Sequence, residues 1–505
     1  MFALLAGVAA LSPAAASATE PKKASEPRIM SEPGEITNVV DAFDDDNGNP
    51  WDLHFTLGYQ QSWQSAKIRR ESFIDQPGLS SGRYVSTMNI ASYKEVTSRL
   101  NLRADVGLYK DIGLYLRLPF ILSNTRELTD LDGSEKAQKT VLAGSQGEQL
   151  FSLPFKSPTR SGIEYLALGL DFGIFNQARD ATKPTWVFGF EGRFTVSEPM
   201  HACGPGGAGL NQKNAQVQCA DPSDINRDGV AGGGTAKLNQ DEQGRSLEGS
   251  FKGQRSAGVS RGTTAIEIHS IMSRRVKYVE PYGGFRALIE FAKSSSDYGQ
   301  VKGVDGVLTA GPPLQGWMIV GIQFIPWEMR EQFQRLTFDL RFTGAYRSEG
   351  RDYTPLFDAI GSSDSPTVRR PNFASFQGTG GNSLVNPNSQ KIYVSGLTDA
   401  AAHGSFSLSG SAMYQAAEYV KFQVGVGYTK VQGHFITGDQ PCNPNFTNDA
   451  SKAGPCQQIT NGTRSGAVTG IPNPLYRPPL DIVGRRFKID DSDQWDAWIN
   501  AVVMF

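Results

Sequence analysis

From Pro50 onward the chain repeats one pattern: about ten residues of alternating apolar and polar side chains, then a turn or a long polar stretch. Leu53, Phe55, Leu57 and Tyr59 fall on one parity, and Asp52, His54, Thr56, Gly58 and Gln60 on the other. Next, Leu100, Leu102, Ala104, Val106 and Leu108 oppose Arg99, Asn101, Arg103, Asp105 and Gly107. Ile112, Leu114, Leu116, Leu118 and Phe120 then oppose Gly113, Tyr115 and Arg117. A β-strand sends successive side chains to opposite faces, so each segment has one face suited to hydrocarbon and one suited to water. The pattern recurs near residues 166–174, 186–196, 264–272, 285–291, 314–324, 336–346, 406–414, 420–428 and 495–505, giving twelve strands. The longest apolar stretch, around 317–327, falls well short of the roughly 20 residues a membrane helix needs. A mean hydropathy of -0.34 is compatible with a membrane barrel, because lumen-facing residues dilute lipid-facing ones.

The connections alternate in length. Tyr109-Lys110-Asp111 joins the second and third strands, and the other connections of that parity are also short. Those of opposite parity are long: about 64–94, 123–163, 198–262, 293–313, 348–404 and 430–493. A soluble sandwich has no reason to alternate in this way. Six long loops and five short turns place both chain ends on the short-turn side.

The final strand ends at Phe505, and counting back in twos gives Val503, Ala501, Ile499, Ala497 and Trp495. The other parity turns polar away from the end, through Asn500, Asp496 and Gln494. With the alternation and the lopsided loops, this resembles the bacterial outer-membrane β-barrel class, porin-like, over residues 51–505. The resemblance implies an all-β transmembrane antiparallel up-and-down barrel in the bacterial outer membrane, with long loops outside and short turns periplasmic. It implies lipid bilayer and lipopolysaccharide as surroundings. It also implies that Ile499, Ala501, Val503 and Phe505 form the signal read by the barrel-assembly machinery. Aromatic residues near strand ends (Trp63, Trp186, Tyr346, Tyr428, Trp495) suit interfacial girdles.

Residues 1–18 read as a signal peptide, with an apolar run from Phe2 to Leu11 and a small-x-small site at Ala16-Ser17-Ala18. No Lys or Arg precedes that run, so the true start is expected upstream. Residues 19–50 are polar and rich in Pro and Glu, and read as a flexible periplasmic segment. The four cysteines fall in two local pairs, Cys203 with Cys219 and Cys442 with Cys456, without the spacing of a zinc site. In an oxidising compartment each pair is expected to staple its loop. A loop of about 15 residues closed in this way gains around 3 kcal/mol in the chain-entropy model.

The polar parities carry charge of both signs: Arg99, Arg103, Arg117, Arg193, Arg286, Arg335, Arg341 and Lys421 against Asp105, Asp171, Glu191, Glu267, Glu290, Asp339 and Asp496. Facing a lumen, they either set solute selectivity or satisfy one another in pairs. Arg99, Arg103 and Arg117 form the most one-sided basic patch and the first place to expect an anionic solute. Whole-chain charge is nearly balanced, 49 Lys and Arg against 51 Asp and Glu, which gives no field towards nucleic acid.

Asp224, Asn226 and Asp228 before Gly229 match the first half of a calcium loop, but Thr235 stands where a bidentate acid belongs. A solvated Asx-rich turn is the leading reading, with Ca2+ the weaker one, and no other cofactor is expected. Asp44 to Gly48 is a fainter version of the same pattern. His269 shares a parity with Glu267 and Ser273, the residue types of a hydrolase triad. One strand cannot deliver triad geometry, so no enzyme is expected. The resemblance implies passive passage of small hydrophilic solutes. The alternatives are a non-conducting barrel that displays its surface loops to a ligand or partner and, lowest, a membrane-embedded hydrolase.

Overall fold

The structure is a computed structural model that describes residues 52–75, 83–131, 150–177, 180–204, 218–219, 256–304, 306–363 and most of 365–443 and 456–505. The expected leader, the segment 19–50 and the Asp224/Asn226/Asp228 turn lie outside the described residues. Twelve strands form the ring: β1 (Leu53–Asp75), β2 (Arg83–Tyr109), β3 (Ile112–Asp130), β4 (Leu166–Phe175), β5 (Thr185–Phe194) and β6 (Thr263–Ser273). They continue as β7 (Val279–Ala292), β8 (Gln315–Met329), β9 (Gln334–Arg347), β10 (His403–Ala417), β11 (Val420–Val431) and β12 (Ser492–Met504). Each pairs antiparallel with the next in the chain, and β1 pairs with both β2 and β12, so the sheet closes. The closing seam runs from His54 opposite Met504 to Ser65 opposite Asp493. Hydrogen bonds between Leu53 and Phe505 extend the closing seam to the short-turn end (3.2 and 2.9 Å).

One parity of every strand points outwards and is apolar. Leu57, Leu102, Leu116, Leu168, Phe190, Ile266, Phe285, Val320, Leu340, Leu408, Val424 and Ile499, one from each strand in order, are 37–57% exposed. An apolar belt around a whole molecule is far larger than soluble monomers leave in water, and only hydrocarbon satisfies it. Aromatic rings mark its edges. At the loop end Tyr428 and Trp495 lie 5.0 Å apart beside Trp63, which pairs with Trp495 across the seam. At the turn end Phe175 packs on Trp186 at 5.8 Å, and Phe55 meets Phe505 edge-on at 6.3 Å. The ten residue-to-residue steps from Leu53 to Trp63, at roughly 3.3 Å each and tilted about 40°, cover roughly 25 Å of membrane.

The first hairpin departs from the expected loop boundaries. The spans 64–94 and 123–163 were expected as loops, but β1 and β2 stay paired out to Asp75 and Arg83, and β3 reaches Asp130. Alternation with hydrocarbon ends at the membrane edge, whereas hydrogen-bonded pairing does not. Above that edge the long connections fold into one cap. Ile68 and Ile90 from the first, Leu150 and Phe155 from the second, Leu356 and Ile360 from the fifth, and Ile436, Leu480 and Phe487 from the sixth share an apolar cluster. Met200 and Tyr298 bring in the third and fourth through a neighbouring cluster with Phe357. Both expected disulfides are present within this layer, Cys203–Cys219 and Cys442–Cys456.

Buried ion pairs fix the cap. Arg160 donates to both oxygens of Asp358 (3.0 and 2.6 Å), and Arg351 donates to both oxygens of Asp439 (2.6 Å each). Removing one partner from a buried pair strands a charge at a cost of about 3–5 kcal/mol. Arg160→Ala is therefore expected to open the cap and expose its loops to limited proteolysis, while the barrel keeps its heat-modifiable mobility on gels. Loss of both together would show that the cap and the barrel are one cooperative unit.

Asp399 lies beside the Arg351–Asp439 pair. Burial, followed by the Asp439 charge, pushes its carboxyl up to about 8. An ordinary aspartate titrates near about 3.9, so between those values the folded cap holds a proton that the unfolded chain has lost. Cap stability therefore falls as pH rises from about 4 to 8. Asp399→Asn should flatten this slope and raise the calorimetric midpoint at pH 8 relative to the parent; an unchanged slope would contradict the assignment.

Candidate functional site

The parity opposite the apolar belt points into the barrel, and its charged side chains are concentrated on β2 to β7. On β2, Arg103 donates to Asp105 from Nε and Nη2 (2.8 and 2.6 Å) and lies 3.7 Å from Asp171 on β4. Its guanidinium stacks 3.9 Å above the Tyr115 ring of β3. That ring lies flat across the neighbouring strand because residue 169 is glycine: a Cβ there would sit 2.1 Å from the ring. Asp171 then reaches across β5 to His269 on β6, with Oδ1 to Nε2 at 2.8 Å. The strand between them carries Gly189, where a Cβ would come within 2.2 Å of the Asp171 oxygen and 2.4 Å of the His269 nitrogen.

Towards the loops stands a five-group cluster. Glu191 on β5 and Glu267 on β6 face each other directly in register. Like charges in that position repel, and a third set of groups must hold them. Arg117 from β3 donates to Glu191 (2.5 Å), and so does Arg193 (2.6 Å). Arg193 also donates to the other carboxylate, Glu267, from Nη2. Arg286 on β7 completes the set, giving Nε and Nη2 to Glu267 (2.9 and 2.7 Å). The Tyr165 ring lies under the guanidiniums of Arg117 and Arg193 at 5.7 and 5.1 Å.

The remaining inward charges are also partnered. Tyr282 donates to Asp339 (2.8 Å) and accepts from Arg341 (3.1 Å). Arg335 pairs with Glu328 at 2.8 Å, and Arg261 holds Glu290 through two bonds of 3.0 and 3.1 Å. The opposite wall, β10 to β12 and β1, is mostly neutral. Ser411 accepts from Gln423 (3.2 Å), and Gln423 accepts from Asn500 (2.9 Å). Asp496 accepts from Gln60 and Ser62 at 3.2 and 2.5 Å, and Lys421 is buried.

Most inward arginines are thus held in ion pairs, and the three arginines of the expected basic patch sit in separate pairs. Arg99 meets Glu164 (3.1 Å), Arg103 meets Asp105 and Arg117 meets Glu191, so these three guanidiniums do not form an unneutralised surface. Each partner but Asp105 comes from a segment distant in sequence. Ser273 donates to Glu280 (2.8 Å) rather than to His269, so the triad types do not assemble. Among the described residues, no group of three or more His, Cys, Asp or Glu side chains is placed to hold a metal ion. Sequence reasoning missed Tyr115, Tyr165, Tyr282 and Arg261. The glycine on the strand beside each tyrosine ring was the available signal for Tyr115 and Tyr282.

A closed ring with an apolar exterior and a charged, hydrogen-bonded interior decides the class. The chain is a closed, membrane-spanning β-barrel of twelve antiparallel strands. No protein-family model matches it, and no curated protein does. Among solved structures, an outer membrane channel from Pseudomonas putida F1 aligns at 9% identity with a TM-score of 0.34, over 94% of this chain and 99% of that one. A Pseudomonas aeruginosa FadL homologue aligns at 10% and 0.32, over 95% and 96%. The outer membrane protease OmpT of Escherichia coli aligns at 9% and 0.26, over 93% and 100%.

Gly189 gives the barrel wall a direct test. Gly189→Val should force Asp171 and His269 apart and lower the temperature at which the barrel loses its compact gel mobility, by an overpacking cost of about 1–3 kcal/mol. Unaltered heat-modifiability would mean that the bridge adds nothing to the wall.

Proposed function

We propose that this barrel is an outer-membrane channel for small hydrophilic solutes, entered past the folded cap and narrowed by the paired side chains of β2 to β7. The observation that carries the reading is the chemistry of the inward parity. It offers guanidinium, carboxylate, hydroxyl and amide groups from Glu280 at the turn end to Glu290 at the loop end, and a neutral polar wall faces them. A polar solute that sheds water in such a passage exchanges its hydrogen bonds for those of the wall. The pairing of the charges favours modest rather than strong ion selectivity. The apolar core of the cap favours restricted entry over a wide-open pore.

A second reading also has an observation behind it. The cap has a core of its own, drawn from all six long connections, as a surface built for recognition would have. In that case the barrel serves as its anchor.

Refolding the mature chain into a planar bilayer separates the two. Small, reproducible stepwise openings are expected, with the step growing when the cap is loosened by Arg160→Ala. Silence from inserted, heat-modifiable protein, in both the parent and that variant, would overturn the channel reading in favour of the anchor.

A further inference from the structure

The two acids of the five-group cluster lie deep in the wall, each with a side chain 2% exposed, whereas Arg117, Arg193 and Arg286 remain 22%, 18% and 25% exposed. What meets the lumen is therefore guanidinium, although the cluster contains acids. The bonds these arginines make to Glu191 and Glu267 use their Nε and Nη2 groups. The three Nη1 groups have no hydrogen-bond partner among the described residues, and none of them is a buried unpartnered atom. Three guanidiniums against two carboxylates leave one positive charge. Arg193 is locked between both acids, which pre-orders the donors around it.

We propose that these three arginines form an anion subsite of the lumen, and that its ligand class is small monocarboxylates. The assignment rests on the channel reading for its purpose, but the site itself stands on the cluster. Planar guanidinium forks match a carboxylate in geometry, and the single surplus charge matches a monoanion better than a doubly charged phosphate. The buried acids keep the guanidiniums in place when the site is empty, so the ligand meets an ordered set of donors. They also keep binding weak enough for release, which transport requires.

Benzoate is the probe, with uncharged benzamide as its control, and binding is read by saturation-transfer NMR on the full barrel in detergent. Benzoate is expected to bind and benzamide to bind at least about tenfold more weakly, the scale of a lost charge-assisted hydrogen bond. Arg286→Gln and Arg117→Gln should each weaken benzoate by about tenfold. Arg286→Lys, which keeps the charge and is the variant better able to fold, should retain part of the binding. Lys183→Gln, on an exposed turn, should change nothing. In bilayers, millimolar benzoate should reduce the chloride current of the parent but not that of the Arg286→Gln barrel. Equal binding of benzoate and benzamide, or unchanged binding in both glutamine variants, would overturn the subsite. Benzoate binding without any conductance would leave the subsite standing and remove the channel.

Discussion

The structure depends first on the fate of backbone N–H and C=O groups in hydrocarbon. Lipid offers them no partner, so every strand edge within the membrane must meet another strand. The seam between β1 and β12 does this, with twelve residue pairs from His54–Met504 to Ser65–Asp493. Closure then fixes everything else: one parity must be apolar around the full ring, and the other must solve its own polar problem in a confined space. A chain that failed to pair β12 with β1 would leave two edges facing lipid.

The inward face solves its problem by reaching sideways. A side chain that stood straight out from the wall would meet few partners, so Tyr115 and the Asp171–His269 bridge lie across adjacent strands at glycines. Glu191 and Glu267 show the same economy with charge. Opposed in register, they are tolerable only because Arg117, Arg193 and Arg286 converge on them from β3, β5 and β7. Such pairs seldom add much net stability, since removing ions from water costs nearly what their attraction returns. What they fix is register: sliding β5 by one residue would send Glu191 and Arg193 to the lipid face and Gly192 inwards.

Strand number, order and facing were legible from residues 53 to 505 because hydrocarbon imposes a period of two. The disulfides were legible from spacing in an exported chain. The loop boundaries at 64–94 and 123–163 were not, since the outer hairpin is held by backbone pairing and has polar side chains on both faces, as at Arg69-Arg70-Glu71. The charge pairs were not legible either. Arg117 meets Glu191 two strands away, reaching past Ala167, its register partner on the intervening strand. An alternating pattern says which way a residue points, not how far its side chain leans. For that reason the basic patch at Arg99, Arg103 and Arg117 dissolved into separate ion pairs, while a net positive cluster formed from residues 117, 193 and 286.

The cap follows from the barrel. A single long loop closing on itself buries too little to offset its ordering entropy, but six loops anchored on one rigid ring share a common core. Their cohesion is then transmitted to the lumen at a small number of points. Arg261 is one of them: it binds Glu290 of the barrel wall with one edge of its guanidinium and Asp352 of the cap, at 2.9 Å, with Nη1. Tyr353 of the cap donates to the Arg261 carbonyl at 3.0 Å. Moving the cap away from the mouth breaks either the Arg261–Glu290 or the Arg261–Asp352 contact, and in the second case Asp352 keeps only Arg347, at 3.6 Å. Arg261 thus ties the cap directly to a carboxylate of the outer barrel wall.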